Sequence, residues 1–250
     1  KRSDSKLNKN AIRSGLRYYA QYGPRNPFNN EVPNDELDKI RAEELVSLLQ
    51  SITVYPHKVL YYGPEDTKTI ANQLSTLHIL PDAMSAVPEM QKFTFTTQQN
   101  NSVLFAPYDM VQAEIQWFRN GETYRPEWVP TVTLFNEYFG GNMSGIVFQE
   151  IRESKALAYS TYAAFGTPAK KEDPFTMSAY VGCQADKMKE SIAAMQELIT
   201  NLPKSDKLFS QSLASLRNSI STTRTTKTGI LFSYLRAKKR GLDYDMNKKV

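Results

Sequence analysis

Phe139-Gly140-Gly141-Asn142-Met143-Ser144-Gly145-Ile146-Val147-Phe148-Gln149-Glu150-Ile151-Arg152-Glu153-Ser154-Lys155-Ala156-Leu157-Ala158-Tyr159-Ser160-Thr161-Tyr162-Ala163-Ala164-Phe165 is the stretch on which the fold turns. It reads as a helix end, a glycine turn, a second helix, a short connector and a strand. Gly140 and Gly141 suit the turn because glycine accepts positive φ at little steric cost. Asn142 suits an N-cap, since its side-chain oxygen can accept a free backbone N–H of the first turn. Met143, Val147 and Ile151 recur four apart, with Ile146 beside them, as one buried helical face requires. Arg152 then leaves the helix end, and Tyr159 stands at the strand entry seven residues later. A guanidinium and a phenol so placed can face one cleft.

Working outward, Val132, Phe135 and Phe139 form the preceding helix. Val111, Ala113, Ile115 and Trp117 alternate with Gln112, Glu114, Gln116 and Phe118, the pattern of a half-buried strand. Phe175, Met177, Ala179, Val181 and Cys183 alternate as a return strand, giving a long-loop hairpin with Ala158–Phe165. Upstream, Ile12, Leu16, Tyr19 and Tyr22 mark a helix stopped by Gly23-Pro24. A short helix capped by Asn34, a helix over Glu43–Ile52 and one over Thr67–Leu77 follow. Short strands are expected at Val59–Tyr62 and Val103–Ala106, and Phe93 and Phe95 alternate with threonines. Downstream come three helices. Met188, Ile192, Met195 and Ile199 face the core of the first. Ser205 caps the second, whose core side carries Phe209, Leu213, Leu216 and Ile220. Leu231, Tyr234 and Leu235 mark the third, ended by Gly241. The pattern predicts an α+β fold of mostly antiparallel sheets layered with helices.

With 40% hydrophobic and 11% aromatic residues in 250, the chain can build a core and does not have a disordered composition. Its net charge of +5 comes from 31 basic and 26 acidic residues, largely interspersed. The basic excess collects at residues 1–17 and 236–249, which reads as solvation and gives no nucleic-acid footprint. Cys183 is the one cysteine, so no internal disulfide can form and the compartment stays open. No apolar run approaches the ~20 residues of a membrane span. The chain starts at Lys1 and reads as a piece of a longer protein.

The run Phe139-Gly140-Gly141-x-Met143-Ser144…Phe148-x-Glu150-Ile151-Arg152-Glu153…Leu157-Ala158-Tyr159 resembles the second, non-metal half of the pitrilysin/insulysin-type zinc peptidases. This is the inverted-motif group, whose metal half carries His-x-x-Glu-His. Asn26-Pro27-Phe28, Glu43-Glu44-Leu45 and Val59-Leu60-Tyr61-Tyr62-Gly63 extend the resemblance upstream. The resemblance implies an α/β roll and divides the chain. Residues 1–80 would close a preceding repeat, 81–92 would link, and 93–250 would open the substrate-binding roll. It implies that Arg152 and Tyr159 bind and polarise a scissile carbonyl across from zinc. The zinc would belong to the missing half, in the same longer chain or a partner subunit, and the substrate would be a peptide or unfolded polypeptide. The other reading within the family is a catalytically silent scaffold or binding subunit.

The residues agree that no catalytic zinc belongs here. Such a site needs about three protein ligands. His57 and His78 are the two histidines, twenty-one apart, and neither lies in His-x-x-Glu-His. Both read as surface or loop residues, and Cys183 as a small apolar filler. Glu150 and Glu153, beside Arg152 and Lys155, read as a solvated salt-bridged face. Ser144 and Ser160 have no neighbouring histidine to activate them. Gly140-Gly141 lacks the Lys-Ser/Thr of a phosphate loop.

Overall fold

A computed structural model describes residues 7–250; residues 1–6 of the basic N-terminal run lie outside it. The scaffold is a three-stranded antiparallel sheet in the order β1-β3-β2, with β1 Gln112–Thr123, β2 Ser160–Gly166 and β3 Pro174–Gln184. Its register pairs Ile115 with Val181, and Val181 in turn with Thr161. Side chains alternate across a strand, so Ala113, Ile115, Trp117, Ala163, Ala179, Val181 and Cys183 share one face and pack into the main core. Glu114, Gln116, Phe118, Ser178, Tyr180, Gly182 and Tyr162 take the other, polar face.

Helices cover the apolar face. Helix α5 (Val129–Phe139) supplies Phe139, and the turn after it leads through Ile146 and Val147 into a π-helix, Phe148–Ser154, that supplies Ile151. Helices α6 (Met188–Thr200) and α7 (Asp206–Thr222) complete the layer. The Tyr138 hydroxyl ties α5 to the α6–α7 connection, donating to the Pro203 carbonyl at 2.9 Å and accepting from the Ser205 N–H at 2.9 Å. A second cluster of Tyr124, Val129, Val132 and Phe175 fills the far end of the sheet. There α8 (Lys227–Lys239) ends at Gly241 (φ +72°), and Arg240 donates to the Pro168 carbonyl at 2.8 Å, pinning the β2–β3 loop.

Helix α1 (Lys9–Tyr22) packs against β1 from the polar side. Asn8 caps it by accepting the Asn10 and Ala11 N–H groups, and Gly23 (φ +81°) ends it. The buried Asn26 then accepts from the Phe28 and Asn29 N–H groups and donates to the Gly23 carbonyl. The Asn26-Pro27-Phe28 motif is therefore a locked turn. Thr96 and Gln98 stitch the helix to β1. Gln98 donates to the Ala20 carbonyl at 2.9 Å and accepts the Asn120 N–H at 2.7 Å.

Several expectations are corrected. Val59–Tyr62, Phe93–Phe95 and Val103–Ala106 form no ladder, because no neighbouring strand supplies partners for their backbone groups. Asn34 is the first residue of α2 (Asn34–Leu37), and Pro33 holds the cap position without a side-chain bond. Helix α3 (Ala42–Ser51) forms, but Leu45, Leu48 and Leu49 are exposed. Helix α4 (Thr67–Leu77) is capped by Asp66. Neither Gly140 nor Gly141 has positive φ. Gly140 is required instead by a close approach: a Cβ there would lie 2.6 Å from the Ala163 carbonyl oxygen. Met143 is 69% exposed, while Ile146, Val147 and Ile151 are buried. In α6 the buried stripe is Ser191, Ala194, Met195 and Leu198, not the larger apolar set. Serine and alanine let the helix sit close to the sheet, and Ser191 Oγ donates to the Leu157 carbonyl at 3.4 Å.

Candidate functional site

The π-helix controls the approach to Tyr159. Its closing bond runs from the Lys155 N–H to the Glu150 carbonyl, the i→i+5 pattern that recurs at functional sites. Ala156 then takes a left-handed conformation (φ +49°), and the Leu157 N–H reaches the Ile151 carbonyl at 3.0 Å. With Leu157 and Ile151 buried, the chain turns from helix into β2 within five residues.

Tyr159 directly precedes β2. Its N–H donates to the Gly182 carbonyl at 3.0 Å, and its side chain lies over Gly182, 41% exposed. A Cβ on Gly182 would come within 2.7 Å of Tyr159 Cζ and Oη and of Tyr180 Oη. The two hydroxyls therefore converge above a residue without a side chain. Tyr180 is buried and stacks on Tyr162 with ring centroids 5.4 Å apart. Burial first, then the negative charge of Glu114, then hydrogen bonding to Tyr159 push the Tyr180 phenol far above the usual tyrosine range.

Arg152 lies on the exposed side of the π-helix. Its side chain is 45% exposed, its Nε is 3.8 Å from Glu153 Oε1, and its guanidinium sits 4.9 Å above the Phe148 ring. The Arg152 contacts are with Glu153 and Phe148, and none is with Tyr159. Each group has its own partners, Arg152 with Glu153 and Phe148, Tyr159 with Gly182 and Tyr180.

Across the polar face, α1 adds charge. Lys9 Nζ is 3.0 Å from Glu114 Oε1, and Arg13 is 3.5 Å from Glu114 Oε2 while lying 5.0 Å over the Tyr180 ring. The Glu114 hydrogen bond raises the Lys9 pKa. Beyond them opens a cleft of about 270 Å³, lined by Arg13, Arg17, Gln116, Tyr162, Thr176 and Ser178 among others. Sequence reasoning missed this cleft. The signal was the polar stripe of β1 and β3, legible only once α1 is known to lie across it.

The outer edge of β2 is the other place a peptide could pair. The sheet order leaves β2 at an edge, but the end of α5 occupies it. The Ala163 N–H donates to the Gly140 carbonyl at 3.2 Å, and the Asn136 side chain bonds both the N–H and the carbonyl of Phe165.

His57 and His78, distant in sequence, meet at Nε2···Nε2 2.6 Å, and His57 Nδ1 lies 2.7 Å from the Tyr55 carbonyl. Two imidazoles binding one zinc at ~2.0–2.1 Å would stand roughly 3.4 Å apart. The pair is instead closed on itself. Among the described residues no group of three or more His, Cys, Asp or Glu side chains could hold a metal ion. The donor set does not fit a catalytic zinc. Cys183 is fully buried in the core as an apolar filler. Among the described residues no helix is long and apolar enough to cross a membrane.

The family comparison bears directly on this site. A model of the "Peptidase M16 inactive domain" matches residues 59–218, more than half of the chain, and spans the π-helix, Tyr159 and all three strands. The chain belongs to this family. It is 34% identical over 80 residues to the uncharacterised zinc protease YmxG of Bacillus subtilis, a match covering 32% of this chain and 19% of that protein. It is 28% identical over 82 residues to the uncharacterised zinc protease ML0855 of Mycobacterium leprae, covering 33% and 17%. The chain thus spans less than a fifth of these relatives in the matched region. Among solved structures, a peptidase M16 inactive domain from Pseudomonas fluorescens superposes with TM-score 0.64 at 18% identity, covering 99% of this chain and 63% of that one. The ferredoxin protease FusC, solved in complex with Arabidopsis ferredoxin, gives TM-score 0.59 at 14% identity, covering 100% and 28%. A chain of complex III2 from Candida albicans gives TM-score 0.59 at 12% identity, covering 99% and 61%. At these identities the structural likeness establishes the α+β fold of the M16 inactive domain.

Proposed function

We propose that this chain is the substrate-facing, non-metal half of a clamshell zinc endopeptidase. The observation that carries the reading is the half-exposed Tyr159 phenol, held over Gly182 beside the start of β2. In amide hydrolysis the carbonyl oxygen gains negative charge, and donors aimed at it lower the barrier. Arginine offers a permanent charge and tyrosine an O–H, and neither takes the proton that a general base must carry. The metal-binding half, in the same longer chain or a partner subunit, would hold zinc and that base. The substrate would be an extended peptide on the β2 side of the polar sheet face, since α1 covers the β1 side and the end of α5 occupies the β2 edge.

The division of the chain belongs to the same proposal. Residues 1–80 close a preceding repeat, 81–92 link, and 93–250 open the substrate-binding roll. Residues 31–80 contain no buried side chain although α3 and the Val59–Tyr62 run are rich in large apolar residues, whereas α1 packs on β1 of the roll.

The test is Tyr159→Phe in the complete protein with its metal half. Loss of one donor predicts turnover reduced roughly 10²–10³-fold, with the melting temperature unchanged. Undiminished peptide hydrolysis by a folded variant refutes the role. The second reading, a silent scaffold, is favoured by the fold shared with complex III2; a full-length protein without His-x-x-Glu-His, and without a partner carrying it, would establish that reading instead.

A further inference from the structure

We infer that the cleft between α1 and the polar face of the sheet is a carboxylate-binding subsite, which receives an acidic side chain or free C-terminus of an extended polypeptide about four residues from the bond presented to Tyr159. This rests on the proteolytic reading for the bond, but not for the binding.

The charge balance comes first. Lys9 and Arg13 share the single carboxylate of Glu114. Arg17 stacks on Tyr18 at 4.8 Å, and among the described residues no carboxylate forms an ion pair with it. Of the residues that line the cleft, Arg13 and Arg17 are cations and none is a carboxylate, so the cleft is positive. Its walls add neutral partners: the hydroxyls of Tyr162, Thr176 and Ser178 and the amide of Gln116. Guanidinium groups bind carboxylates through paired, charge-assisted hydrogen bonds. A volume of about 270 Å³ falls just below the ~300–1,000 Å³ of sites for drug-sized ligands and cofactors. It suits one side chain.

The spacing follows from strand geometry. Ser178, Tyr180 and Gly182 are alternate residues on one face of β3. Ser178 lines the cleft, and Gly182 lies under Tyr159. Four residues of strand span ~13 Å at ~3.3 Å each, and an extended peptide laid on the face has the same rise. A carboxylate in the cleft therefore sets the backbone four residues away beside the Tyr159 hydroxyl. Tyr180 between the two points is buried under Arg13, so the peptide would run beside it along β2, over Ser160 and the partly exposed Tyr162 that stacks on Tyr180.

The experiment uses the 250-residue chain and three fluorescent decapeptides of Ala, Ser and Thr. One has an internal Glu and an amidated end. One has Gln in its place and an amidated end. One has Gln and a free C-terminus. Binding is followed by anisotropy at low and high salt. The Glu peptide is expected to bind and the amidated Gln peptide not, with binding weakened by salt. Binding of the third peptide would assign the subsite to chain ends as well. Arg17→Gln, folded by circular dichroism, should weaken the Glu peptide roughly tenfold, and Arg17→Lys less. Equal binding of all three peptides, or an unchanged affinity in Arg17→Gln, overturns the subsite. Mass-spectrometric mapping with the complete protein then reads the spacing. Cuts four residues from Glu support it, and cuts without positional relation to Glu overturn it. Arg17-dependent binding without any cleavage would refute the peptidase reading and leave the carboxylate subsite standing.

Discussion

Gly182→Ala tests the placement of Tyr159 without touching Tyr159. Gly182 lies in β3 with no positive φ, so alanine suits the backbone. The perturbation is the methyl group, whose carbon would fall 2.7 Å from Tyr159 Cζ and Oη and 2.7 Å from Tyr180 Oη. Carbon atoms prefer ~3.5–4.0 Å, so something must retreat by about 1 Å. Tyr180 is buried, stacked on Tyr162 and capped by Arg13. Tyr159 is 41% exposed and gives way. Tilting one half-exposed ring costs about 1 kcal/mol of stability. A displacement of about 1 Å at a reacting group can cost roughly 10²-fold in rate. In the complete protein, turnover of a quenched-fluorescence peptide should fall roughly 10²-fold while the melting temperature drops by only a few degrees. If both changes act through one hydroxyl, Gly182→Ala combined with Tyr159→Phe should be no slower than Tyr159→Phe alone. Turnover within about twofold of wild type in Gly182→Ala, or fully multiplicative losses in the double variant, would refute the reasoning.

Gly140→Ala should destabilise the fold by about 1–3 kcal/mol, because its Cβ would meet the Ala163 backbone at 2.6–2.7 Å and no side-chain rotation can relieve that; an unchanged denaturation midpoint in urea would contradict it. The raised pKa of Tyr180 predicts alkaline instability, with a definite sign. The folded state holds the phenol proton more tightly than the unfolded chain, whose tyrosine titrates near ~10. The stabilisation is thus complete below ~10 and is lost as pH rises through the folded value. Phenolate absorbance should show one tyrosine ionising last, absent in Tyr180→Phe, and an unaltered titration in that variant would refute the assignment.

The sequence was most legible where one periodicity had one partner. The β1 alternation, the hairpin of β2 and β3, the Ser205 cap and the Gly23 and Gly241 stops all depend on local chemistry. The π-helix was not legible, because Ile146, Val147 and Ile151 fit an α-helical face equally well, and the wider turn shows only in the Lys155–Glu150 bond. The α6 stripe was misassigned because apolar volume was weighed above closeness. A serine and an alanine won the core side, and Met188, Ile192 and Ile199 were left partly exposed at its margin. Val59–Tyr62 and Val103–Ala106 have strand-like side chains, but a strand is made by its neighbour, which sequence pattern does not supply. At the candidate site, Arg152 and Tyr159 were singled out through resemblance alone. The glycine beneath Tyr159 and the charged helix across the sheet needed coordinates.

Under the proposed peptidase role, Arg152 and Tyr159 would be two donors to a third atom, which requires that neither be bound to the other. An arginine already bound to the tyrosine hydroxyl would have to give up that bond before either could serve a carbonyl. Here Arg152 holds only an exposed contact with Glu153 at 3.8 Å and the Phe148 ring. Such surface pairs contribute ~0–1 kcal/mol, so an incoming oxygen displaces little. Tyr159 is oriented from below, by the empty position at Gly182 and by Tyr180, whose raised pKa keeps it a neutral phenol. Tyr180, the anchored partner, is buried, and Tyr159 is half-exposed. Under the proposed peptidase role, that asymmetry would place rigidity where it fixes direction and leave the Tyr159 hydroxyl free to serve a substrate carbonyl.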